Sequence, residues 1–163
     1  MKIAIVYSSR TGHTKLLADT IREALSEDTC VYFGAPDEKA LEADRIYAGF
    51  WTDKGTCDSD SAAFLKTLTD QELFLFGTAG FGVSADYFQK VLGKAEKNVP
   101  AGVSLVGSFM CQGKMPMSVR ERYEKMQKSP IPVPNIKSLI ENFDLALSHP
   151  DEKDLADLKA AIR

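Results

Sequence analysis

Short apolar runs alternate with segments of helical periodicity along most of this sequence, and this alternation constrains the fold more than any other feature. The apolar runs predict strands at residues 2–7, 30–33, 45–50, 72–77 and 103–110. Apolar residues at helical spacing between them predict helices at residues 14–25, 61–68 and 83–97. Strands separated by helices form βαβ units with parallel strands and right-handed crossovers. The sequence therefore predicts an α/β fold, a three-layer sandwich with a five-stranded parallel sheet.

The chain of 163 residues fits one domain, and its last third is predicted to be helical. Helices are expected near residues 118–127, 135–148 and 151–162, with a stiff proline-rich stretch at 129–134 between the first two. We therefore predict a single domain over residues 1–163. Residues 1–111 would form its core, and residues 112–163 an extended C-terminal helical segment packed on it.

Composition and charge argue against several functional classes. The net charge of −3 disfavours a nucleic-acid-binding protein, which needs clustered cations. No stretch reaches the roughly 18 apolar residues of a membrane span, and the apolar start of the chain has no cleavage site after it. We therefore expect a cytoplasmic protein with no membrane or nucleic-acid partner. Three widely spaced cysteines and two histidines form no metal-ligand pattern, and we predict neither a metal nor a catalytic residue.

The turn between the first predicted strand and helix, Ser9-Arg10-Thr11-Gly12-His13-Thr14, carries residue types that hold a phosphate. Ser9, Thr11 and Thr14 offer hydroxyl donors, and Gly12 allows the backbone to approach a ligand closely. Unpaired amides at the helix start and the helix dipole favour an anion at the same place. One threonine could simply cap the helix, but three hydroxyls and a glycine together predict a phosphate site.

The pattern Ser9-x-Thr11-Gly12-x-Thr14 resembles the phosphate loop of flavodoxins, in which these residues bind the phosphate of FMN. The resemblance implies the flavodoxin-like strand order 2-1-3-4-5 and FMN as the cofactor. His13 stands where the family often has asparagine. Arg10 is at a variable position, where it either adds charge to the phosphate or points to solvent. The expected cofactor contacts in this turn are Ser9, Arg10, Thr11, Gly12, His13 and Thr14.

The loop after the fourth predicted strand, Gly77-Thr78-Ala79-Gly80-Phe81-Gly82, resembles the flavodoxin loop that bonds the pyrimidine edge of the flavin through its backbone. The resemblance makes Thr78, Ala79, Gly80, Phe81 and Gly82 expected cofactor contacts, with Phe81 as the single aromatic ring. Gly80, Gly82 and Ala85 also match a dinucleotide-binding fingerprint. That fingerprint belongs after the first strand, so we interpret the match as accidental.

The loop after the third predicted strand contains Trp51, the only tryptophan of the chain. An exposed tryptophan is costly unless it covers a flat apolar ligand. By resemblance, Trp51 packs on the isoalloxazine ring; the alternatives are that it folds back on the domain or that Phe50 is the stacking ring. The resemblance also indicates Gly55 as the glycine whose peptide contacts flavin N5. The expected cofactor contacts of this loop are Phe50, Trp51, Thr52, Lys54 and Gly55.

These features predict an FMN-binding protein that shuttles low-potential electrons between redox partner proteins, as a monomer or weak dimer. Acidic residues are expected around the exposed flavin edge, where they could steer a basic partner; they are Asp53, Asp58, Asp60 and Asp86. A receiver domain of the same fold is disfavoured, because Ser8-Ser9 stand where such a domain needs an acidic pair.

The tail beyond Cys111 keeps an alternative function open. Its Met115, Met117, Tyr123 and Met126 could cap the flavin and form a substrate pocket, although ordinary packing would also explain them. The alternative is an FMN-dependent reductase or oxidase of the flavodoxin fold that acts on NAD(P)H, a quinone or a tetrapyrrole. The chain with its long tail also resembles the BilS group of flavodoxin-like proteins, which are associated with bilirubin reduction.

Overall fold

The computed structural model describes residues 1–81 and 84–162 and contains a parallel sheet with helices on both faces. The strands are β1 (Lys2–Tyr7), β2 (Thr29–Gly34), β3 (Arg45–Asp53), β4 (Thr56–Cys57), β5 (Glu72–Ala79) and β6 (Ser104–Gln112). The five long strands lie in the order β2-β1-β3-β5-β6, and all neighbouring pairs are parallel. The predicted three-layer sandwich and its order 2-1-3-4-5 are thus confirmed, with β4 as an additional short strand.

The helices begin and end close to the predicted positions. They are α1 (His13–Ala24), α2 (Ser59–Leu65), α3 (Ala85–Glu96), α4 (Met117–Gln127), α5 (Ile136–Ala146) and α6 (Glu152–Ala161), with a 3₁₀ helix at Glu38–Glu42. Helix α2 begins two residues earlier than expected because Asp58 caps it: its carboxylate accepts the N–H of Ser61 at 3.1 Å. The predicted start of the third helix, Val83, lies outside the described residues.

Strand β3 is three residues longer than predicted and continues into a hairpin with β4. Thr52 pairs with Cys57, and Asp53 pairs with Thr56, so only Lys54 and Gly55 remain in the turn. Both turn residues have positive φ, +52° for Lys54 and +83° for Gly55. Two central residues with positive φ are the mark of a type I′ turn, whose twist matches that of an antiparallel hairpin. Trp51 and Thr52 therefore belong to a strand rather than to a loop.

The core has two layers, one on each face of the sheet. Helices α2 and α3 pack on one face together with Phe50, and α1 and α6 pack on the other together with Phe76. In the register of β3 and β5, Gly49 pairs with Phe76, and Phe50 pairs with Gly77. A Cβ at Gly49 would lie 2.4 Å from the ring of Phe76, and one at Gly77 would lie 2.5 Å from the ring of Phe50. Each glycine therefore makes room for the ring beside it.

The C-terminal helices pack on the sheet and on each other. Helix α6 contacts α1 and β6, and its Leu158 is fully buried. Helix α5 packs against α4 and buries Phe143. None of the helices in the described part of the chain combines the length and apolar character needed to cross a membrane.

Candidate functional site

The turn at the start of α1 presents hydrogen-bond donors at the surface. Gly12 precedes the helix with φ +87°, and no side chain of the described residues caps the helix start. The Ser9 Oγ accepts the N–H of Gly12 at 3.0 Å, so the hydroxyl proton of Ser9 can be donated elsewhere. Because the first amides of a helix have no acceptor within it, this turn fits an anion such as a phosphate. Thr11 is exposed beside these donors.

Thr14 is placed differently from the other two hydroxyl residues. Its side chain is buried, and its Oγ1 lies 3.4 Å from the carbonyl oxygen of Phe50 and 3.2 Å from the Oγ1 of Thr78. These hydrogen bonds join the start of α1 to the ends of β3 and β5. Ser9 and Thr11 thus present hydroxyls at the surface, whereas the hydroxyl of Thr14 is engaged inside the protein.

A cleft of about 290 Å³ adjoins this turn at the carboxyl ends of β3 and β5. The predicted contacts that line it are Arg10, Thr11, Trp51, Thr52, Lys54, Gly55, Thr78, Ala79, Gly80 and Phe81. Ser9, Gly12, His13 and Thr14 belong to the adjoining turn, and Gly82 lies outside the described residues. The Phe50 side chain is fully buried in the core, so of the two candidate stacking rings only Trp51 lines the cleft.

Trp51 is held in place by its backbone and covered by a cation. The N–H of Asp58 donates to the carbonyl oxygen of Trp51 at 3.0 Å, and the Oδ1 of Asp58 accepts the N–H of Trp51 at 3.3 Å. The guanidinium carbon of Arg10 lies 5.4 Å from the centre of the Trp51 ring, within cation–π distance. A flat ligand on this face of Trp51 would have to displace Arg10.

The loop after β5 is tied to β6 and α5. The carbonyl oxygen of Gly80 accepts the side-chain amides of Gln112 and Asn142, each at 3.0 Å. The N–H of Gly113 donates to the carbonyl oxygen of Ala79 at 2.9 Å. Phe81, at the end of the described part of this loop, remains 40% exposed. The backbone of the loop is therefore fixed, while its single ring stands at the mouth of the cleft.

The segment between β6 and α4 forms a cleft wall that the predicted cofactor contacts do not include. Its lining residues are Gly113, Lys114, Met115 and Pro116. Val119 of α4 and Tyr87 of α3 also line the cleft. Met115 packs closely on Gly80: a Cβ added to Gly80 would lie 2.4 Å from the Cγ of Met115. One feature of the sequence indicates this part of the cleft. Residues 113–115 directly follow the last parallel strand, and ligands bind beyond the carboxyl ends of such strands.

The other residues considered as a flavin cap are placed as ordinary surface and packing residues. Met117 is 53% exposed, Tyr123 is buried and Met126 is half-buried. None of these three lines the cleft, whereas Met115 does. The tail thus reaches the candidate site through its first residues and the first turn of α4.

The residues that line the cleft include more cations than acids. Arg10, Lys54 and Lys114 line it, with Asp53 as the one acid among the described lining residues. Asp58, expected at the flavin edge, is instead 2% exposed and bonded to Trp51 and Ser61. It fixes the backbone and is not available to steer a partner.

His13, the first residue of α1, lies in an electropositive environment. Partial burial and the charge of Lys114 lower the pKa of His13 from its usual value near 6.5. At neutral pH its imidazole is therefore uncharged, and it adds no cation to the turn.

The buried cysteines are poor nucleophiles. Burial raises the pKa of Cys57, and burial together with the carboxylates of Asp154 and Asp151 raises the pKa of Cys111. Both residues remain protonated thiols at neutral pH, and thiols react far more slowly than thiolates.

His149, Asp151 and Asp154 form a polar cluster away from this cleft. Their potential ligand atoms lie within 4.8 Å of one another. Asp151 and Asp154 form a capping box at the start of α6, and the Nδ1 of His149 lies 2.7 Å from the Oδ2 of Asp154. The carboxylates thus already satisfy the amides of a helix start.

Comparison with known sequences identifies the family. A family model for the flavodoxin domain matches residues 4–163. The flavodoxin-like domain-containing protein BilS of Clostridium symbiosum (strain WAL-14163) is 44% identical over 96% of this chain and 91% of its own length. The protein of the same name from Clostridioides difficile (strain CD3) is 32% identical over 95% of this chain and 90% of its own length.

Solved structures share the fold at low sequence identity. A short-chain flavodoxin associated with a non-canonical PDU bacterial microcompartment superposes with a TM-score of 0.57 at 14% identity, over 90% of this chain and 96% of that one. A flavoprotein from Lactobacillus acidophilus NCFM, solved in complex with FMN, has a TM-score of 0.51 at 16% identity, over 67% of this chain and 92% of that one. The family match and the two relatives lead to one conclusion: this chain belongs to the flavodoxin domain family.

Proposed function

We propose that this protein binds one FMN in the cleft and transfers electrons between redox partner proteins. The observation that carries the proposal is an uncapped helix start that adjoins a cleft lined by the ring of a tryptophan. The first suits a phosphate monoester and the second suits a flat aromatic ring, and FMN contains both. The Lactobacillus acidophilus flavoprotein of the same fold was solved with FMN, which supports the choice of cofactor.

The two ends of the cleft would hold the two ends of the cofactor. Ser9, Thr11 and the amides at the start of α1 would donate hydrogen bonds to the phosphate oxygens. Trp51 would stack on the ring after Arg10 leaves its face, and Arg10 would then be able to turn toward the phosphate. When bound, FMN supplies the capacity to accept and release electrons.

The fixed backbone around the cleft would keep the cofactor site in one geometry. Asp58 holds Trp51 through two hydrogen bonds, and Thr14 joins the turn at the start of α1 to β3 and β5. The loop at Ala79 and Gly80 is anchored by three hydrogen bonds from β6, α5 and the residue after β6. A site that needs little rearrangement favours rapid electron transfer, because reorganisation adds to the barrier of the step.

A second candidate function is an FMN-dependent reductase that acts on NAD(P)H, a quinone or a tetrapyrrole. The observation in its favour is the wall of Met115, Pro116 and Val119, which extends the cleft with apolar surface beyond the predicted flavin loops. Such a wall could also receive an organic substrate beside the ring.

Anaerobic turnover distinguishes the two functions. The FMN-loaded chain would be mixed with NADH or NADPH and an excess of a small quinone, with and without an added flavodoxin reductase. A carrier reduces the quinone only when the reductase is present. Rapid oxidation of NADH or NADPH by the chain alone would contradict the carrier function and support the reductase.

A further inference from the structure

The charges that line the cleft differ in sign from the charge of the whole chain. The chain has a net charge of −3. The described residues that line the cleft nevertheless include three cations, Arg10, Lys54 and Lys114, and one acid, Asp53. A cleft lined mainly by one sign of charge attracts ligands of the opposite sign. The ligand of this cleft is therefore expected to be anionic.

The three cations stand at different places. Lys54 is at the tip of the β3–β4 hairpin, and Arg10 covers the ring of Trp51. Lys114 lines the same cleft as Thr11, and its charge acts on His13, the first residue of α1. Gly113, the residue before Lys114, lies against Thr78, whose Oγ1 is 3.2 Å from the Oγ1 of Thr14 in α1. The backbone at Lys114 therefore stands close to the turn before α1, whereas Lys54 stands at the tip of the hairpin.

The chain around Lys114 is fixed on both sides. The N–H of Gly113 donates to the carbonyl oxygen of Ala79 at 2.9 Å, and Met115 packs directly on Gly80. Gly113 also approaches Thr78 so closely that a Cβ would lie 3.1 Å from the Thr78 Cβ. Lys114 is exposed between these two anchors, so its long side chain extends from a defined point beside the turn.

On the basis of the FMN function above, we propose that Lys114 is a phosphate-binding residue whose ammonium group lies against the phosphate monoester held at the start of α1. Ser9 and Thr11 are neutral donors, and the amides of a helix start carry only partial charge. A full cation beside them selects the doubly ionised phosphate and strengthens its binding by about tenfold.

Affinities for FMN and riboflavin test this role, because riboflavin has the same ring without the phosphate. We expect Lys114→Met to weaken FMN binding about tenfold, to leave riboflavin binding unchanged, and to reduce the salt dependence of FMN binding. Lys114→Arg should restore most of the affinity for FMN. The matched control Lys54→Met removes a cation from the hairpin end and should affect FMN and riboflavin equally. Equal effects of Lys114→Met on both ligands, or no effect on either, would overturn the proposal.

A second readout needs no cofactor. The chain has two histidines, so the imidazole resonances of His13 can be assigned in the ligand-free protein with the variant His149→Gln. Lys114→Met should raise the pKa of His13 measured by NMR titration, and Lys54→Met should not. An unchanged pKa of His13 in Lys114→Met would show that Lys114 is remote from the turn and would refute the proposal. If the unmodified chain binds no FMN while this pKa moves, the proposed function fails although Lys114 is placed as described.

Discussion

Asp58 holds the backbone of Trp51 from both sides: its N–H donates to the Trp51 carbonyl oxygen at 3.0 Å, and its carboxylate accepts the Trp51 N–H at 3.3 Å. The same carboxylate accepts the hydroxyl of Ser61 at 2.9 Å and the N–H of Ser61 at 3.1 Å, and so caps α2. One buried carboxylate thus connects the ring that lines the cleft to the helix behind it.

Replacing Asp58 is expected to destabilise the protein and to displace Trp51. Asp58→Ala removes a helix cap and leaves buried donors without an acceptor, so the free energy of unfolding should fall by about 2–4 kcal/mol. Asp58→Asn keeps one acceptor oxygen and should cost less. Urea unfolding measures both. Asp60→Ala, on the exposed side of the same helix, is the control and should change stability by less than about 0.5 kcal/mol; an equal loss there would refute the role of Asp58.

Thr14 and Thr11 should separate folding from ligand binding. Thr14→Val removes a buried hydroxyl between Phe50 and Thr78 and should lower the free energy of unfolding by about 1–2 kcal/mol. Thr11→Val changes an exposed residue and should alter stability by less than about 0.5 kcal/mol while weakening FMN binding by about tenfold. Urea unfolding and FMN titration of both variants check this. The reverse pattern, with Thr11 important for folding, would contradict the placement of the two hydroxyls.

The β3–β4 hairpin should respond in opposite directions to changes at its two turn residues. Lys54 adopts φ +52°, which asparagine tolerates better, so Lys54→Asn should raise the free energy of unfolding by about 0.5 kcal/mol. Gly55 adopts φ +83°, and Gly55→Ala should lower it by about 1 kcal/mol or more. Thermal unfolding measures both. If both substitutions changed the free energy of unfolding in the same direction, the assignment of a type I′ turn would be contradicted.

His13 is expected to make the ligand-free protein less stable as the pH is lowered through about 6.5. Its pKa is lowered in the folded state, so the unfolded chain binds more protons below this pH, and unfolding becomes easier. The variant His13→Gln should lose this part of the pH dependence in urea unfolding between pH 7 and pH 5.

Asp151 acts in a separate range of pH. The N–H of Asp154 is the largest cause that lowers the pKa of the Asp151 carboxyl, so the stability it provides is lost only as the pH falls below about 3.8. If His13→Gln and the unmodified chain showed the same dependence of unfolding free energy on pH between pH 7 and pH 5, the environment described for His13 would be contradicted.

The sequence predicts most of the fold because apolar periodicity determines it. The runs that predict β1 and β5 are buried on both faces of the sheet, so nearly every residue in them is apolar. Strand β4 was not predicted, because two residues are too few to show alternation. Its Lys54-Gly55 turn also lacks the asparagine or aspartate that usually marks such a hairpin.

The candidate site was predictable only in the parts that lie next to each other in sequence. The turn at residues 9–14 and the loop after β5 each contain their own motif. The bonds of Thr14 to Thr78 and the packing of Met115 on Gly80 join residues far apart in the chain, and they depend on the register of the sheet and on where the tail packs. Asp58 has the sequence pattern of a surface acid, yet it is buried and bonded to Trp51 and Ser61.

We propose that the uncapped turn before α1 binds the phosphate of FMN while Trp51 stacks on its ring. Calorimetric titration of the ligand-free chain with FMN and with riboflavin tests it most directly, together with quenching of the fluorescence of the single tryptophan. We expect one FMN per chain, quenching of Trp51, and an affinity for FMN at least about a hundredfold above that for riboflavin, because charged hydrogen bonds contribute about 1.5–3 kcal/mol each. The double variant Ser9→Ala, Thr11→Ala should remove most of that difference. Equal affinities for the two flavins in the unmodified chain, or no change in the double variant, would contradict the claim.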